Sequence, residues 1–115
     1  MNELVRAMVI PTDGEPKTGM VTQECGEIIR SIVGGHFGVV SSDEGVHGYV
    51  HDEGLLIGLP YNAVASALFG QHLVGNVIVF GSLDAKGRHD GYEHHIPPTV
   101  VVLAMAEWEI ARHGL

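Results

Sequence analysis

A chain of 115 residues, 45% hydrophobic and 17% charged, has the composition of one folded domain and excludes a disordered segment. Fourteen acids oppose six Lys and Arg, for a formal charge of −8. The six cations (Arg6, Lys17, Arg30, Lys86, Arg88 and Arg112) are scattered, which argues against nucleic-acid binding, where clustered cations displace counterions from phosphates. The acidic balance fits solubility, a basic protein partner or mimicry of DNA. Cys25 is the single cysteine, so no internal disulfide asks for an oxidising compartment. The first residues carry Glu3 and reach Pro11 without the apolar run of a signal peptide. The longest apolar run, residues 100–106, is far below the ~20 residues of a membrane span. These features predict one α+β domain over residues 1–115, in the cytoplasm and not in a membrane.

In chain order, residues 4–10 have the apolar, β-branched character of a strand that Pro11 stops. Residues 12–16, Thr-Asp-Gly-Glu-Pro, form a turn, and a second strand closing at Val21 pairs back on the first. Residues 22–33 predict a helix with Thr22 as its cap and Cys25, Ile28, Ile29, Ile32 and Val33 on one face. Gly34 and Gly35 supply its left-handed stop. Residues 37–40 and 46–50 predict a hairpin in which Val46, Gly48 and Val50 face one way and His47, Tyr49 and His51 the other. Residues 55–59 form a further apolar run that Pro60 halts, read as a strand leading into a turn. Asn62 caps a short helix over 63–69 that ends at Gly70. Residues 74–83, with four consecutive apolar side chains from Val77 to Phe80, predict a central strand covered on both faces. The His-rich residues 88–96 read as a loop or ragged edge strand. Thr99 caps a last helix over 100–113, with Val100, Leu103, Ala104, Trp108 and Ala111 near one face and Val101, Val102 and Met105 pointing elsewhere.

Three stretches together resemble a family of small proteins of unknown function found in phages, plasmids and their bacterial hosts. They are the opening strand ending in residues 9–16, the helix closed by Val33-Gly34-Gly35, and residues 52–62 followed by 74–81. The resemblance covers roughly residues 5–85 and implies an accessory gene of a mobile element with an α+β fold. It brings no known active site. Where the family commonly has an acid, this chain has Asn76.

The candidates for chemistry are few. His89, His94 and His95 stand beside Asp90 and Glu93, residue types that ligate zinc, but their spacing fits no closed zinc pattern. His47 and His51 share a strand face at ~13 Å, too far apart to hold one metal. Cys25 lies on an apolar helix face and reads as a small buried hydrophobe. The serines lack a nucleophile elbow, and no phosphate-binding glycine loop is present. Residues 58–62, Gly-Leu-Pro-Tyr-Asn, lead into a helix N-terminus, whose free N–H groups can hold an anion.

The expectations are therefore these. The fold is α+β, with a mixed or mostly antiparallel sheet of about five strands and helices packed on one face. Ile28, Ile32, Val77, Val79, Leu103 and Trp108 are core. The protein is not an enzyme and needs no cofactor or metal. It is an accessory protein that binds and modulates a host protein. The alternative is a binder of a small anionic ligand, such as a nucleotide signal of host defence, through Pro60, Tyr61, Asn62 and His94. The apolar girth of the last helix and the scarcity of lysine on sheet edges predict a homodimer.

Overall fold

A computed structural model describes residues 3–82 and 92–114. Five strands and three helices form in the order β1 (Leu4–Ile10), β2 (Lys17–Thr22), α1 (Gly26–Val33), β3 (Phe37–Ser42), β4 (Val46–His51), α2 (Ala63–Phe69), β5 (Val77–Gly81) and α3 (Pro98–Arg112). The strands make one sheet in the order β2-β1-β5-β4-β3, and every neighbouring pair is antiparallel. The α+β class and the five-stranded antiparallel sheet are those the patterning predicts.

β5 is the centre of the sheet, and its five residues are all buried. Strand alternation sends its side chains to two separate cores. Val77 and Val79 join Met8, Ile10 and Val46 beneath α2 and α3. Ile78 and Phe80 join Val5, Ala7 and Tyr49 beneath α1. The helices therefore lie on both faces of the sheet, α1 on one and α2 with α3 on the other, which corrects the expectation of helices on one face. A central strand apolar on both sides needs both faces covered.

Several boundaries differ for local reasons. Thr22 ends β2 and does not cap α1, whose N-cap is Cys25. Gly26 then sits at the first helical position, where its weak propensity costs less than in the interior. Gly34 stops α1 at φ 92°, donating its N–H to the Arg30 carbonyl. Thr99 does not cap α3, because Pro98 occupies the first helical turn, where its fixed φ suits the helix and its missing N–H is no loss. Residues 55–59 are not a strand. Their backbone closes on itself, with Ile57 N–H bonded to Glu53 O and Leu59 N–H to Gly54 O.

The buried helix stripes are narrower than the predicted faces. In α1 the buried stripe is Cys25, Ile29 and Val33, spaced by four, and Ile28 is exposed while Ile32 is half-buried. In α3 it is Val100 and Ala104, with Trp108 half-buried against them, and Leu103 is exposed. Val77 and Val79 are buried as expected. A Cβ at Gly48 would press on Phe69 at 2.8 Å, so this glycine lets α2 approach β4.

Candidate functional site

Residues 93–96 close the sheet at one end of β5. His94 exchanges backbone hydrogen bonds with Gly81, and Ile96 N–H bonds the Arg6 carbonyl. The segment thus lies between the end of β5 and the first half of β1, beyond the point where those strands pair directly. It crosses so close that a Cβ on Gly81 would collide with the His95 carbonyl.

This crossing delivers Glu93 into the core beneath α1. His47, fully buried on β4, meets Glu93 Oε1 through Nε2 at 2.6 Å and Ser82 Oγ through Nδ1 at 2.7 Å. Tyr49, two residues along the same strand face, donates its hydroxyl to Glu93 Oε2 at 2.7 Å. Gln23 holds the Glu93 backbone from both sides, donating to its carbonyl and accepting from its N–H. Phe37 and Phe80 pack around Tyr49, and Phe80 stacks on His47. Cys25 is buried nearby, and burial first, then the Glu93 charge, raises its thiol pKa. Burial, then the hydrogen bond to Glu93, raises the Tyr49 phenol pKa. No buried side-chain polar atom among the described residues lacks a partner, as a polar network in a low dielectric requires.

The order serine, imidazole, carboxylate is one that can activate a hydroxyl as nucleophile. Here the imidazole has no exposed surface and Glu93 is 10% exposed, with Tyr49 on its second oxygen. The arrangement holds a closing segment on the sheet through bonds spanning more than forty residues of sequence. Sequence reading picked out His47, Tyr49 and Glu93 separately and did not join them. The available signal was the polar pair at alternate positions of an otherwise buried strand.

The residues proposed as a ligand site are dispersed. Asn62 is buried, accepts the Ala65 N–H at 3.0 Å, and donates to the carbonyls of Ile10 and Gly75 at 2.9 Å each. It caps α2 and joins two chain segments, so its amide does not face a ligand. Pro60 and Tyr61 are exposed, and Tyr61 stacks on His72 at 4.9 Å between ring centroids. Tyr61 bridges Val74, before β5 begins, while His94 bridges Gly81, where β5 ends. A five-residue strand separates them by ~17 Å, so one chain does not bring Tyr61 and His94 together. Of the His-rich segment, His89 and Asp90 lie outside the described residues, and His95 Nδ1 accepts the Arg6 N–H. Among the described residues no group of three or more His, Cys, Asp or Glu is placed to hold a metal, and no helix is long and apolar enough to cross a membrane.

The second distinctive feature is a surface. The tight turn after β4 holds Leu55, Leu56 and Ile57 out at 70, 86 and 56% exposure. Between this turn and residues 71–74 runs an open groove of about 450 Å³.

The sequence of this fold matches the model of a domain of unknown function, DUF3846, over residues 5–96. The chain belongs to the DUF3846 family. No curated protein matches it in sequence. Among solved structures, the DUF3846 chain superposes on part of the crystal structure of small RNA methyltransferase HEN1, with a TM-score of 0.60 at 15% identity. The match covers 90% of this chain and 16% of that one. At that identity the likeness is one of fold alone.

Proposed function

We propose that this DUF3846 chain is a non-enzymatic accessory protein of a phage or plasmid. It works in the host cytoplasm by binding a host protein and modulating or inhibiting it. The mobile-element origin rests on the sequence resemblance. The binding role rests on the turn at residues 55–57. Three consecutive large aliphatic side chains stand in water there, although each is worth ~1.5–3 kcal/mol when buried. Scattered single apolar residues need no explanation, but a contiguous exposed group marks an interaction surface. Absence of catalysis is supported by the enclosure of His47, which leaves the imidazole out of reach of a substrate.

Capture from host lysate, comparing the wild-type protein with Leu55→Ser/Leu56→Ser, tests the reading. At least one host protein should fall about tenfold in the double variant, the loss of ~1.4 kcal/mol. Identical capture by both proteins sinks it.

The same reading includes a homodimer formed on a different surface. Val102, Leu103, Ala106 and Ile110 are exposed along one face of α3. A second copy can cover this stripe symmetrically. Light scattering should give twice the 12.3 kDa chain mass and return to the monomer value in Val102→Glu/Ile110→Glu. A wild-type monomer mass removes the dimer without touching the binding reading.

A further inference from the structure

The chemistry of the groove beside Leu55 and Leu56 says more about the partner. Its floor is aliphatic, from Val40 and Val50, and Leu55 and Leu56 form one wall. Asp52 and Glu53 stand on its rim, both exposed, and neither forms an ion pair among the described residues. No residue lining the groove is Lys or Arg, so its fixed formal charge is that of Asp52 and Glu53. Such a surface repels nucleic acid and anionic lipid and attracts cations over the range of a Debye length, ~8–10 Å.

We propose that this groove takes a cationic amphipathic segment of a partner protein. The proposal rests on the binding reading above and specifies its partner. Apolar side chains of the segment seat on Val40 and Val50 between the two walls, and its Lys or Arg side chains meet Asp52 and Glu53. The aliphatic floor supplies most of the affinity, and the carboxylates select for charge and speed encounter. A purely basic segment leaves the floor in water. A purely apolar one leaves two carboxylates without partners.

The test uses a fluorescent Leu/Lys amphipathic peptide as probe, with the whole chain and anisotropy as readout. Binding should weaken as salt rises, and Leu55→Ser/Leu56→Ser and Asp52→Asn/Glu53→Gln should each weaken it about tenfold. A Lys/Ser peptide of equal charge should bind at least about tenfold more weakly. Removing the same charge beneath the other face, in Glu24→Gln/Glu27→Gln, should leave binding unchanged. All six variant residues are exposed, so unchanged thermal melting confirms that folding is intact. Equal binding of a Leu/Glu peptide, or no effect of Asp52→Asn/Glu53→Gln, overturns the proposal. So does self-association of the wild type that Leu55→Ser/Leu56→Ser abolishes, because the occupant is then a second copy. A host protein that depends on Leu55 and Leu56 but docks through an acidic segment overturns this inference and leaves the binding reading standing. Host capture that ignores Leu55 and Leu56 overturns the binding reading itself.

Discussion

The two faces of the sheet are built from the same strands by different chemistry. Beneath α1, His47, Tyr49, Ser82 and Glu93 bond to one another, side chain to side chain, and the network contains a carboxylate. Beneath α2 and α3 the core is aliphatic except for Phe69, and its buried polar neighbours are neutral and bonded to backbone. Asn62 binds Ile10, Ala65 and Gly75, and Ser66 binds Leu73 both ways. An aliphatic face is specified by volume and tolerates swaps that conserve it. A satisfied polar network is specified atom by atom, because each orphaned group costs its full desolvation. The face beneath α1 should therefore be the fragile one, and its fragility should concentrate at Glu93.

Glu93→Ala should have the largest effect, a loss of roughly 3–5 kcal/mol in urea unfolding, because it strips His47 and Tyr49 of a shared buried partner. Glu93→Gln keeps two polar atoms in place and should lose less than half as much. On the opposite face, Met8→Leu should cost under ~1.5 kcal/mol although Met8 has no exposed surface. Equal losses for Glu93→Ala and Met8→Leu would erase the distinction between the faces. Asn62→Ala should fall between, at about 2–3 kcal/mol, from a lost cap and two orphaned carbonyls. Asn62→Asp should restore the cap alone, since a carboxylate cannot donate to Ile10 and Gly75.

The faces should also differ in alkali. Cys25 and Tyr49 both have folded pKa values raised above their ordinary 9.0 and 10.0, chiefly by burial, with Glu93 adding to each. Above pH 9 the unfolded chain releases protons that the folded chain retains. Stability from these groups is complete below pH 9 and falls as pH rises, by up to ~1.4 kcal/mol per pH unit for each group. Urea midpoints from pH 8 to pH 10.5 should decline, and Tyr49→Phe should flatten the decline above pH 10. An unchanged slope in Tyr49→Phe would place the titration elsewhere.

This contrast also explains what the sequence disclosed. Asn62 before an apolar run is a local signal, readable because a cap bonds three residues ahead, and α2 forms where it points. β1 and the stop at Gly34 are local in the same way. Ile28 and Leu103 fall outside the buried stripes although adjacent Ile28 and Ile29, or Leu103 and Ala104, fit a 3.6-residue repeat almost equally well. Only the opposing sheet decides between them. Glu93 was unreadable as the partner of His47, since 46 residues separate them and the bond exists only once residues 93–96 lie beside β5. The run at 55–59 resembles a strand in hydrophobicity alone. Its sequence lacks the period-two alternation of a half-buried strand, and an exposed turn uses its aliphatic side chains outward.

That turn gives the smallest stability effect and the sharpest separation of stability from function. Leu55→Ser/Leu56→Ser removes two large hydrophobic side chains, and in either core such a change would cost several kcal/mol. Here both side chains stand mostly in water, and the hydrogen bonds that close the turn come from the backbone of residues 51–59. The unfolding free energy should stay within ~0.5 kcal/mol of wild type. A loss above 2 kcal/mol in urea unfolding would mean that the turn packs against the chain itself, and the surface at residues 55–57 would then be core and not a docking site.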